Sequence, residues 1–146
     1  MMTRKLAIIF SVLSGLLLAV MSRLNASLGQ AIGTMEATWV IHVVGMGAAV
    51  IVCVYRRQFQ WLPRLKTVPC YLMLGGVYGV TMVWLGNIVI PQLGMAVSSS
   101  IFIAVNLILS CVMDHWGWLG MPQTTIGWRR IGGVVMAMVG VVLVYL

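Results

Sequence analysis

The chain contains 146 residues, of which 62% are hydrophobic and only 8% are charged, and its mean hydropathy is +1.07. A soluble domain usually carries about a quarter charged residues, so this composition excludes an ordinary soluble protein. Because one bilayer crossing takes about 20 apolar residues, the length allows roughly five transmembrane helices and leaves no room for a separate catalytic domain. The net charge is +7, and its meaning depends on where the cations lie relative to the hydrophobic runs.

Apolar runs succeed one another along the whole chain, and we predict a single all-helical transmembrane domain over residues 1–146. The first run begins after Arg4 and Lys5, as a signal peptide would, but it is longer than a usual signal h-region and lacks a small-residue cleavage site. The third run closes at Pro91, so we expect a short, uncharged turn before the fourth. The predicted helices cover approximately residues 6–32, 37–55, 70–90, 95–113 and 131–146.

In the predicted topology, almost all of the cations lie on one side of the membrane. With five crossings, the amino terminus and the loops at 56–69 and 114–130 lie on one side of the membrane. That side holds eight of the nine cations, namely Arg4, Lys5, Arg56, Arg57, Arg64, Lys66, Arg129 and Arg130. The positive-inside rule therefore predicts a cytoplasmic amino terminus and an outside carboxyl terminus. The positive charge is an orientation signal, so we expect the lipid bilayer as a partner and no nucleic acid.

The titratable and thiol side chains do not form a recognisable reaction centre. His42 and His115 are isolated from each other and from Cys53, Cys70 and Cys111, so we expect no metal site and no cofactor. The twelve methionines are scattered, whereas a copper pathway would need soft ligands paired at helical spacing. No nucleophile with its base, no paired carboxylates and no glycine-rich phosphate loop is present, so we predict that the protein is not an enzyme.

Polar side chains at membrane depth are costly, and each is a candidate for function. For Asn87 and Asn106, a hydrogen bond to a neighbouring helix is the alternative to a role with substrate. On an ideal helix, Trp84 and Asn87 lie about 120° and 180° around the axis from Tyr78, so these three cannot share one narrow face. The candidate substrate-binding residues are Asn25, Tyr78, Trp84, Asn87, Ser99 and Asn106.

Two titratable residues of the second run are the candidates for ion coupling. Glu36 opens this helix, where a carboxylate also serves as a partner of the helix dipole. His42 lies near mid-membrane and is the side-chain type that changes charge nearest neutral pH, although it can also be a structural hydrogen-bonding group. Arg23 either reaches the outer interface by extending its side chain or attracts an anionic substrate group.

Small residues recur at four-residue spacing, which lets helices approach closely in lipid. Packing within one subunit explains most of these positions. The last run is short and rich in small residues, and we assign its Gly132, Gly133 and Gly140 to a subunit interface.

Several segments together resemble a known group of membrane proteins. They are "GLLLAVMSRLNASLG" at 15–29, Gly45, "LGGVYG" at 74–79, "PQLGMAVSSSIFIAVNLILSCVMDHWG" at 91–117 and the Gly-Gly start of the last run with Gly140. The pattern is similar to the YdcZ-type five-helix family of the drug/metabolite transporter superfamily, which is related to the small multidrug resistance exporters. The sequence departs from that family at Met21 and Asn106, where a glutamine is common, and at Arg23.

The resemblance implies an exporter of a small polar or cationic compound in the bacterial inner (plasma) membrane. It also implies half of an inverted-repeat fold, completed as an antiparallel dimer that works by alternating access. Because the charge bias is strong, we expect the partner to be an oppositely oriented homologous five-helix subunit, and a second copy of this chain is the alternative. The alternative function is a non-transporting assembly or scaffold subunit, in which the small and polar residues serve packing alone.

Overall fold

The computed structural model describes residues 4–57, 66–120, 123–125 and 127–146. Within these ranges the chain is helical and contains no strand. The long helices are α1 (Arg4–Ile32), α2 (Thr34–Arg56), α3 (Leu74–Leu93), α4 (Met95–Trp116) and α5 (Trp128–Tyr145). Short 3₁₀ helices cover Cys70–Met73, which leads into α3, and Trp118–Gly120. Arg64, one of the predicted loop cations, lies outside the described residues.

Five helical segments of the described chain are long and apolar enough to cross a membrane, which confirms the predicted number. The third of these runs from Cys70 to Leu93, because the 3₁₀ helix continues into α3. At most 17% of the most apolar window of any span is buried within the chain. Lipid or other protein must therefore cover most of the apolar surface, as expected of a polytopic membrane protein.

Pro91 does not end the third helix, as the sequence suggested, but lies inside it. Proline lacks the amide proton that would bond to the carbonyl four residues earlier, and the cost is greatest in the middle of a helix. Here α3 continues only to Leu93, so few hydrogen bonds depend on the residue. The α3 helix then stops before Gly94, whose φ of 80° favours glycine.

The chain divides into two compact units, Met1–Gln92 and Leu93–Leu146. In the first unit, α1 packs against α2, and the two helices are joined at Gly33. The φ of this glycine is 102°, and a Cβ added there would collide with the carboxylate of Glu36. Backbone hydrogen bonds are kept on both sides of this joint. The N–H of Gly33 donates to Gly29 O at 3.0 Å, and the N–H of Ala37 donates to Gly33 O at 3.0 Å. The turn between α1 and α2 therefore depends on glycine at this position.

In the second unit, α4 packs against α5. The end of α4 is tied to the start of α5 by Asp114 of α4, Arg130 of α5 and Thr124 of the intervening segment. Arg130 Nη1 lies 2.9 Å from Asp114 Oδ2 and donates to Thr124 Oγ1 at 2.9 Å. Thr124 also donates its backbone N–H to Asp114 O at 2.9 Å. Asp114 thus holds the α4–α5 hairpin closed through both its side chain and its backbone.

Candidate functional site

The most buried polar contact in the described chain joins α2 and α3 in the first unit. Asn87 is 2% exposed and Thr38 is 2% exposed. Asn87 Nδ2 donates to Thr38 Oγ1 at 3.3 Å, and Thr38 Oγ1 donates in turn to Thr34 O at 2.7 Å. Because an unpaired amide is costly in an apolar interior, this contact fixes how α3 faces α2.

Asn87 reaches Thr38 past a glycine of α1. A Cβ added at Gly29 would lie 3.3 Å from Asn87 Cβ, which is tighter than ordinary van der Waals contact. Asn25, Ala26 and Gly29 are the buried residues of α1. The small side chains on this face of α1 therefore leave the space that the asparagine of α3 occupies.

Thr38 also connects the contact to His42. His42 Nδ1 lies 2.8 Å from Thr38 O, one helical turn away. A carbonyl oxygen can only accept, so Nδ1 carries the proton and donates it. In the neutral ring, Nε2 then keeps its lone pair and is a hydrogen-bond acceptor.

A groove of about 310 Å³ lies beside this contact, between α2 and α3. His42 and the indole of Trp39 supply polar groups to its wall, Thr38 lines it but is only 2% exposed, and the remaining lining is apolar. The lining residues are Met35, Thr38, Trp39, His42, Val43, Met46 and Val80. Sites for small molecules are usually mostly apolar cavities of about 300–1,000 Å³ with a few placed polar groups, so this groove lies at the lower end of that range.

The substrate-site candidates from the first unit do not form one site around this groove. Asn87 and Asn25 are buried, whereas Tyr78 is 71% exposed and Trp84 is partly exposed. The opposite placement of Tyr78 and Asn87 agrees with the half-turn that separates them on an ideal helix. None of these four residues lines the groove.

The candidates of the second unit lie on α4. Ser99 is partly exposed, and its neighbour Ser98 is fully buried and donates to Gly94 O at 2.7 Å. Asn106 is exposed, and its Oδ1 accepts a hydrogen bond from Ser110 Oγ at 3.1 Å. An exposed amide and hydroxyl at this depth of an apolar helix leave a polar spot for another molecule to cover.

Of the two ion-coupling candidates, only His42 lines the groove. Glu36 is exposed, and its carboxylate lies over Gly33 at the start of α2. This position suits a carboxylate that interacts with the helix dipole. Arg23 is exposed on α1.

Gly132 and Gly133 are exposed, and a Cβ added at either of them or at Gly140 would meet nothing within 4 Å. This face of α5 therefore has room for a neighbouring helix. Among the described residues, no group of three or more His, Cys, Asp or Glu side chains is close enough to hold a metal ion.

Sequence reasoning missed Thr38, Trp39 and the role of Gly29. A signal for Thr38 was present, because Thr34, Thr38 and His42 recur at four-residue spacing and so share one face of α2. The partner of Thr38 could not be found in this way, since Asn87 lies 49 residues away.

The chain matches one family model over residues 6–143, and the family's description is "Putative inner membrane exporter, YdcZ". Comparisons with curated proteins and with solved structures give no match. Because the family match covers almost the whole chain, the protein belongs to the YdcZ family, which places it among inner-membrane proteins of exporter type.

Proposed function

We propose that this YdcZ-family protein is a secondary transporter subunit that exports a small polar or cationic compound. The observation that carries the proposal is the groove between α2 and α3, because His42 and Thr38 face it from within an apolar helix. Polar groups that face a cavity inside a membrane span mark a substrate or ion path. A scaffold subunit has no need for such a cavity.

In this proposal the Asn87–Thr38 contact acts as a positioning element. It is fully buried, so it holds α3 against α2 while the groove beside it takes up substrate. His42 is the ion-coupling residue, and Glu36 stabilises the start of α2. We assign Asn25 and Trp84 to the surroundings of the site rather than to direct substrate contact, because neither lines the groove.

We further propose that the working unit is an antiparallel dimer. Alternating access around a site near the midplane needs two inverted halves, and a five-helix chain supplies one of them. The exposed Asn106–Ser110 pair on α4 and the open glycine face of α5 are surfaces that a second subunit would cover. Asn106, Ser99 and Tyr78 would then contribute to the path in the dimer.

Transport in proteoliposomes tests the function. The chain would be reconstituted into liposomes together with an oppositely oriented family member. The proteoliposomes would be loaded with a radiolabelled amine, guanidinium compound or amino acid. We expect an imposed ion gradient to drive efflux of at least one of these compounds, and His42→Leu to abolish it. Absence of movement of every compound in either direction would favour the scaffold function. His115→Gln is the matched control, because His115 ends α4 and does not line the groove.

A further inference from the structure

His42 presents a hydrogen-bond acceptor to the groove, and Trp39 presents an aromatic ring with one indole N–H donor. The N–H at His42 Nδ1 donates a hydrogen bond to Thr38 O, so the neutral ring has no other N–H for a ligand. Thr38 has one hydroxyl proton, which it donates in a hydrogen bond to Thr34 O. Thr38 is only 2% exposed and its hydroxyl already accepts from Asn87, so what remains for a ligand on these two residues is the lone pair on His42 Nε2.

The acceptor on His42 selects a ligand that donates. An anion or a carbonyl compound would find no donor on His42 and only the indole N–H of Trp39, and a polar group left unpaired in an apolar site is costly. A ligand with an N–H group and an apolar body would satisfy both parts of the groove. Its body would lie against the lining methionines and valines.

Trp39 adds an attraction for positive charge. Its side chain lines the groove and is 72% exposed, so its ring is available to a ligand. The face of an indole ring attracts cations, and the attraction grows as the ring is removed from water. Together, an acceptor on His42 and an aromatic ring on Trp39 favour an ammonium group over a neutral donor.

We propose that the α2–α3 groove binds primary or secondary ammonium compounds with an apolar body, by an N–H hydrogen bond to His42 Nε2 and contact with Trp39. This inference rests on the proposed function only for its physiological meaning, because binding can be measured without transport. It separates ammonium ligands that carry an N–H bond from quaternary ammonium ligands, which have the charge but no proton to donate.

The test is direct binding of phenethylamine to the purified full-length chain in detergent, measured by calorimetry. N,N,N-trimethylphenethylammonium tests the need for a donor, and phenylacetate tests the charge. We expect phenethylamine to bind about 10- to 100-fold more tightly than the quaternary compound, since a hydrogen bond to a charged group is lost in the latter. Phenylacetate should not bind.

Two variants locate the site. His42→Leu should weaken phenethylamine binding to the level of the quaternary compound, and His42→Gln should restore part of it, because its amide oxygen can accept. His115→Gln should have no effect.

Equal affinity for phenethylamine and its quaternary analogue, or tight binding that survives His42→Leu, would overturn the proposal. Neither result depends on transport. A chain that binds with the expected selectivity but moves no substrate would contradict the proposed function while leaving the groove as a ligand site. A pair that transports while His42→Leu still binds phenethylamine normally would contradict the proposal for the groove alone.

Discussion

Thr38 takes part in three hydrogen bonds. We therefore expect small changes of its side chain to affect the stability of the first unit more than changes at other positions. Its hydroxyl accepts from Asn87 and donates to Thr34 O, while its carbonyl accepts from His42. Valine has nearly the same shape as threonine but has no hydroxyl. The substitution therefore removes the acceptor of a buried amide without creating a cavity.

We expect Thr38→Val to lower the free energy of unfolding by about 1–3 kcal/mol, because Asn87 Nδ2 is left buried without its partner. Thermal unfolding in detergent measures the change. Thr81→Val is the control, since Thr81 is exposed and its hydroxyl donates to Val77 O of its own helix at 2.9 Å. Thr38→Ser should retain most of the stability. Equal effects at positions 38 and 81 would show that the contact between helices contributes nothing.

Gly29 is the second residue at which one side chain decides helix packing. We expect Gly29→Leu to destabilise the protein by about 1–3 kcal/mol, because its side chain enters the space that Asn87 occupies. Gly15→Leu is the matched control in the same helix, where a Cβ meets nothing within 4 Å. If both variants unfold at the same temperature in detergent, close approach at Gly29 is not a source of stability.

At the scale of elements, the α4–α5 hairpin is closed by an ion pair that is partly exposed. The side chains of Arg130 and Asp114 are 43% and 34% exposed. Solvent screens such pairs, so their contribution is typically no more than about 1 kcal/mol. Asp114 and Gly117 at the end of α4 therefore direct the chain from α4 towards α5 more than they stabilise the protein.

A double-mutant cycle with Asp114→Asn and Arg130→Gln measures this contribution. We expect a coupling free energy of at most about 1 kcal/mol, and a smaller one at high salt. Unfolding in detergent at two salt concentrations gives both values. A coupling of several kcal/mol, unchanged by salt, would mean that the pair is shielded from solvent in the membrane-bound protein.

For the whole molecule, orientation follows from where the cations lie along the chain. Among the described residues, Arg4 and Lys5 begin α1, Arg56 ends α2, and Arg129 and Arg130 lie in the first turn of α5. Crossing the membrane five times brings these helix ends to one side. The positive-inside rule therefore applies to all of them in the same sense.

We expect the chain expressed alone to insert in one orientation, with its amino terminus in the cytoplasm. Labelling single cysteines introduced near each terminus, in a variant without Cys53, Cys70 and Cys111, measures the orientation. Replacing Arg56 and Arg57 with glutamine removes two cations from the cytoplasmic side and should yield a mixture of orientations. If the introduced cysteines are labelled from both sides of the membrane in the protein with its natural cations, the prediction is contradicted. That result would favour a homodimer of opposed copies.

The helices could be predicted from the sequence because hydropathy is a local property that adds up along the chain. The number of spans, the all-helical class and the family each follow from runs of about 20 residues and from short motifs. The end of the third helix was placed too early, because Pro91 lies near enough to the end of α3 for the helix to accommodate it.

The sequence by itself therefore determined a five-helix membrane protein with its cations concentrated at one set of helix ends. Only the tertiary structure decided which polar side chains meet, because that depends on how each helix is rotated about its axis. Rotation of α3 places Asn87 on Thr38 and leaves Tyr78 exposed. The rotation of α2 places His42 and Trp39 beside a groove that Val80 of α3 also lines.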